Sequence, residues 1–206
     1  MSVLRNQIGA EGLTAVIKHL PGQYNKHELG SKTERAAYVT TILESKQRPF
    51  IWEYFHPGTI EIPRGEATYY DKKRRGPFQS IPVLCAFSMY FTSYGIQMRI
   101  PSEDPGRPIG ALALAAAAVE RGYFLHRSGD YVSSANEFSA TNWLQATNVY
   151  IDKIKNNLTD DNWRAIFDAL HRLQETRAYE AQVEAGMALE ECEPLLPADP
   201  PTPPPA

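Results

Sequence analysis

Few residues in this chain are of a type and spacing that could do chemistry. Glu120 and His126 stand at the end of the alanine-rich run GALALAAAAVERGYFLHRSG, Gly110 to Gly129. A carboxylate and an imidazole leaving an apolar helix could share a pocket, because a carboxylate in low dielectric is costly unless it is paired or put to use. The competing role is structural, with Glu120 bridged to Arg121, Arg127 or Arg107 and His126 serving the negative end of its helix. Lys72, Lys73, Arg74 and Arg75 form the one dense basic run, with Tyr69, Tyr70 and Phe78 beside it. Four cations next to aromatic faces suit phosphate contact and base stacking, although the broad basic surface of a dedicated DNA reader is missing.

Other chemistries are not indicated. The chain holds no G-x-S-x-G elbow, phosphate loop, G-x-G-x-x-G or H-E-x-x-H. The five histidines lie in separate segments without metal-ligand spacing, and Cys85 and Cys192 form no disulfide framework. No catalytic residue, metal or cofactor is therefore expected.

The elements that must position these residues follow from hydrophobic period and punctuation. The segment before residue 33 has loosely helical spacing, broken by Gly9 and Gly12 and ended by Pro21-Gly22, so short helical pieces are expected over 1–32. A helix capped by Thr33, with Glu34 in its first turn, should stop near Ser45. Pro49 to Pro57 is aromatic-rich and should start as a helix at Pro49. Residues 58–77 show little helical period and read as a loop with a short β-hairpin around Thr59 to Tyr70. A buried stripe then runs from Phe78 to Tyr94, with Pro82 tolerated in the first turn.

The alanine run is too short for a bilayer span: only Pro108 to Val119 is free of charge, against the roughly 20 residues needed. It predicts a central, close-packed helix ended by a left-handed cap at Gly129. Ser139 and Thr159 are the N-caps of two further helices, the second fading into a polar run through Glu191. The fold class is thus mainly α: one helical domain of five or six helices over 33–192, followed by a disordered proline-rich tail at 193–206. From Glu175 onward seven acids face one arginine, a net −6, which leaves +3 on the rest of a chain whose total is −3.

Three blocks, RGPFQSIPVLCAFSMYF, PIGALALAAAAVERGYFLHRSGDY and EFSATNWLQATNVYIDKIKNNLTDDNWRAI, resemble a multicopy protein family of basidiomycete fungi, over roughly Arg75 to Ile166. The resemblance implies an intracellular helical domain, of an origin linked to mobile elements. It also implies structural roles for Gly76, Phe78, Glu120, Gly129, Phe138, Ser139 and Tyr150, and it transfers no activity. The leading expectation is a non-catalytic interaction or scaffold domain with a protein partner, cytoplasmic or nuclear and without a membrane. The alternatives are nucleic-acid binding through Lys72 to Arg75 and an enzyme built on Glu120 and His126.

Overall fold

The computed structural model of the chain describes residues 2–46, 48–55, 74–93, 107–133 and 137–191. They form six helices: α1 (Ser2–Lys26), α2 (Lys32–Glu44), α3 (Ile81–Ser93), α4 (Ile109–Leu125), α5 (Ala140–Asn157) and α6 (Asp160–Glu191). Two short strands, β1 (Trp52–Phe55) and β2 (Arg74–Pro77), pair antiparallel, with Trp52 opposite Pro77 and Tyr54 opposite Arg75. The mainly α class is what the sequence leads one to expect. Two compact units divide the chain, Met1–Leu173 and Gln174–Ala206. No helix among the described residues is long and apolar enough to cross a membrane.

In the first unit α4 is the hub, packed against α1, α2, α3 and α5. Leu112, Ala113, Ala115 to Ala118 and Val119 are all sealed from solvent, so the helix is enclosed on several sides rather than along one stripe. Alanine makes this feasible, since it costs no side-chain entropy in a helix and lets neighbouring backbones approach.

The partner that exploits this is α1, and here the expectation of short helical pieces is corrected. Residues 2–26 form one helix despite Gly9, Gly12 and Pro21. The glycines do not break it; they remove side chains where the neighbours press closest. A Cβ at Gly12 would lie 2.7 Å from Ala118 Cβ, and one at Gly122 of α4 would lie 2.8 Å from a Val16 methyl. Pro21 forfeits its bond to the Ile17 carbonyl, but Ile17 is 44% exposed, so water can serve that oxygen.

Two boundaries also shift. Ser31, not Thr33, caps α2: its Oγ accepts the Glu34 N–H (3.2 Å) while a Glu34 carboxylate oxygen accepts the Ser31 N–H (2.8 Å). This reciprocal box needs a Ser and a Glu three residues apart, which places Thr33 inside the helix. Likewise, α4 ends at His126, and Gly129 lies beyond the turn with φ +89°. Its backbone presses on the Lys32 carbonyl, where a Cβ would clash. The turn is pinned to α2 by Arg35, which donates from Nε to the Gly129 carbonyl (3.0 Å) and from Nη2 to Asp130 (2.9 Å).

The aromatic stretch after Pro49 does not become a helix. Pro49–Ile51 makes a single 3-10 turn and the chain then extends into β1. Consecutive burial of Phe50 and Ile51, in a stretch whose sequence continues with Trp52, Tyr54 and Phe55, favours an extended segment over a helix with one wet face. The hairpin expected around Thr59 to Tyr70 falls outside the described residues; the paired strands lie on either side of it. The caps at Ser139 and Thr159 are as expected, each hydroxyl accepting the N–H of the third residue on, Asn142 and Asn162 (both 3.3 Å). Trp163, Ile166 and Leu170 then set the buried face of α6. In the second unit α6 runs on to Glu191, with Tyr179 and Val183 exposed one turn apart. The proline-rich tail lies outside the described residues.

Candidate ligand-binding site

Glu120 and His126 both leave α4, but each has its own partners. The Glu120 carboxylate accepts from the Tyr150 hydroxyl (2.9 Å) and pairs with Arg48 Nη1 (2.9 Å). The same Arg48 nitrogen donates to the Leu43 carbonyl (2.6 Å). Arg48 reaches across because its backbone is left-handed, φ +51°, in the turn after α2. Of the arginines expected to serve Glu120, Arg107 pairs with Asp160, and the Arg127 guanidinium lies 4.4 Å from the Phe124 ring centre. Burial and the Glu120 charge raise the Tyr150 pKa well above that of a free phenol, so the hydroxyl remains a donor. The trio ties α4, α5 and the loop before β1 together, and each member already has its partner.

His126 is buried, with Nδ1 2.8 Å from the Gly122 carbonyl, which fixes that nitrogen as the donor. It satisfies one of the orphan carbonyls at the end of α4. Of the basic run, Lys72 and Lys73 lie outside the described residues. Arg74 and Arg75 belong to β2, and Arg75 Nε is 3.4 Å from the Glu53 carboxylate. No group of three or more His, Cys, Asp or Glu able to hold a metal occurs among the described residues.

Among the described residues two cavities stand out, and neither is lined by Glu120 or His126. The larger is an apolar groove of about 390 Å³ where α4 and α5 begin. Gly110, Ala111 and Leu114 of α4 line it together with Leu4 and Arg5 of α1 and Tyr90 of α3. Phe138, Ser139, Trp143, Leu144 and Thr147 complete the lining. The Phe138 ring can sit there because Gly9 has no side chain: a Cβ at Gly9 would lie 2.9 Å from its Cγ. Nothing lies within 4 Å of the place a Gly110 Cβ would take, and Leu144 is 56% exposed, so the groove is open at both points.

Two buried donors belong to residues of this predominantly apolar lining, which also includes Ser139 and Thr147. Arg5 Nε and Trp143 Nε1 are sealed from water and have no hydrogen-bond partner among the described residues. Each such donor costs about 1–3 kcal/mol. The first turns of α4 and α5 also line the groove, with Pro108 giving α4 no side-chain cap, so two positive helix ends add to the Arg5 charge.

The smaller cavity, about 150 Å³, has a mixed lining in which Ile42, Phe50, Trp52 and Ile81 stand beside polar groups. His19, Gln23 and Lys26 of α1 line it, with His27 just after that helix, Tyr38 of α2, Glu53 of β1, Tyr123 of α4 and Ser80 just before α3. Burial first, and then the Lys26 charge, lower the pKa of both histidines. Burial raises the phenols of Tyr38 and Tyr123 far above their ordinary range. These residues escape sequence reading because each histidine alone fits a surface role. The signal available was the 19, 23, 26 spacing, which puts three polar side chains on one stripe of α1, with His27 directly after it. No signal of comparable strength marks Arg5 or Trp143, which come to line one groove only through tertiary packing. No protein-family model, curated protein or solved structure matches this chain.

Proposed function

We propose that the chain is a non-catalytic binding domain, and that its ligand is an apolar monocarboxylic acid held in the groove where α4 and α5 begin. One observation carries this: two buried N–H donors, on Arg5 and Trp143, belong to residues that line a predominantly apolar groove and have no acceptor among the described residues. A carboxylate entering the groove supplies the missing acceptor when the Arg5 and Trp143 side chains turn to meet it, while its hydrocarbon chain covers Ala111, Leu114 and Phe138. The volume falls within the 300–1,000 Å³ usual for small-molecule pockets, with few polar groups to orient the ligand. Catalysis has no comparable support, since the Glu120 carboxylate and His126 Nδ1 are engaged within the fold and neither residue lines the groove.

Calorimetric titration of the full chain with decanoate, decanol and decylamine tests the proposal. A hydrogen bond involving a charged group contributes about 1.5–3 kcal/mol, so decanoate should bind roughly ten to a hundred times more tightly than decanol. Decylamine should bind least, and Arg5→Met should bring decanoate down to the level of decanol. Equal affinities for acid and alcohol, or no binding of decanoate, would refute the proposal.

A further inference from the structure

The smaller cavity raises a separate question, because Lys26, His19 and His27 line it together with a buried serine. Ser80 immediately precedes α3, a 13-residue helix, and its carbonyl accepts the Leu84 N–H (3.0 Å), which makes it the capping residue. Yet its hydroxyl caps nothing. Ser80 is only 8% exposed, and its Oγ has no partner among the described residues. A buried capping serine left idle at the positive end of a helix is an unused anion contact, and rotation about its Cα–Cβ bond can turn it toward the cavity it lines.

The groups facing Ser80 have matching chemistry. Lys26 brings a positive charge, and His19 and His27 bring two ring N–H donors. The one carboxylate in the lining, Glu53, sits 3.4 Å from Arg75 Nε, which offsets its charge. The volume is about ten times the roughly 10–15 Å³ that a single ordered water needs.

We propose that this cavity, between the end of α1 and the start of α3, binds a phosphate group, either free phosphate or the phosphoryl end of a monoester. Its tetrahedral oxygens can accept from Ser80, from both histidines and from the α3 N-terminus while facing the Lys26 ammonium. A metal ion is the poorer fit, because the lining offers one carboxylate beside several cationic or donor groups. Burial first and then the Lys26 charge depress both histidine pKa values, and phosphate should draw protons onto both rings when it binds.

Titrating the full chain with inorganic phosphate at pH 6.5, against chloride at equal ionic strength, tests this by calorimetry and by the three tryptophan indole N–H resonances. Trp52 lines this cavity and Trp143 lines the groove, so phosphate should move the Trp52 signal and leave Trp143 in place. Lys26 is exposed, so Lys26→Met should fold normally and weaken phosphate about tenfold or more. Ser80→Ala removes a hydroxyl that bonds to nothing, so the variant should remain folded while its phosphate affinity falls several-fold. O-phosphoserine serves as the second probe: tighter binding than inorganic phosphate assigns the site to a phosphorylated molecule, and weaker binding assigns it to the free ion. No saturable response to either probe, or affinities unchanged in both variants, would overturn the proposal without touching the decanoate result.

Discussion

Replacing Gly12 by alanine, with Gly22→Ala as its partner experiment, tests the packing on which both cavities depend. Both glycines lie inside α1, and alanine in a helix interior is favoured over glycine by about 0.8–1.0 kcal/mol. At Gly22 nothing stands within 4 Å of the new Cβ, so that gain should appear undiminished. At Gly12 the new Cβ meets Ala118 Cβ at 2.7 Å, the Ala118 carbonyl carbon at 3.1 Å and the Val119 nitrogen at 3.3 Å. Ordinary contact begins near 3.4 Å, so α1 and α4 must part by about 0.7 Å, and no rotamer change can relieve a clash against backbone and an alanine methyl. Overpacking of this kind costs about 1–3 kcal/mol. The propensity gain is common to both variants, so their difference isolates the seam. Gly22→Ala should exceed Gly12→Ala by about 1–3 kcal/mol in urea denaturation, with Gly12→Ala at or below the parent. For a chain of this length each kcal/mol moves Tm by about 2–4 °C. Equal stabilisation by the two substitutions would refute the close-approach account of α4.

Two further outcomes follow from the polar groups. Tyr150→Phe removes a buried hydroxyl that donates to the Glu120 carboxylate and should cost about 1.5–3 kcal/mol in chemical denaturation; a change below about 0.5 kcal/mol would mean the trio does not hold α5 to α4. Because folding lowers the pKa of His19 and His27, the unfolded chain binds more protons just below the ordinary value of 6.5. Stability should therefore fall as pH drops through 6.5 toward the folded-state values, and His19→Gln should flatten that slope. Lys26 and Glu53 also face these rings, with Tyr38 and Tyr123, but none of the four has an ordinary pKa between 5 and 7. A stability that rises on acidification from pH 7 to pH 5.5 would contradict the assignment.

Much of the fold was legible in the sequence where local chemistry decides the outcome. Ser139 and Thr159 cap as expected because a short hydroxyl before a periodic run leaves the backbone few better options. The Gly110 to Gly129 run was legible as a buried hub, since a stripe of alanines with almost no polar face needs neighbours all round. Local rules failed where tertiary contact overrides them. Gly9 and Gly12 look like breaks until the Phe138 ring and Ala118 are seen filling the space they leave. Pro49 looks like a helix start until Phe50 and Ile51 are both found buried and the chain pairs with β2. Arg48 as the partner of Glu120 depends on one left-handed residue more than 70 positions earlier in the chain, and nothing in the composition announces it. Arg5 and Trp143 come to line one groove only in three dimensions.

The claim that the chain is a binding domain for an apolar acid is tested most directly by the Trp143 indole proton. The chain has three tryptophans and hence three indole N–H signals, and the one lost in Trp143→Phe identifies the groove. On addition of decanoate that signal should move downfield and exchange more slowly with solvent as it gains an acceptor, while those of Trp52 and Trp163 stay in place. A Trp143 signal that does not move under saturating decanoate, or three signals that shift together, would contradict the account.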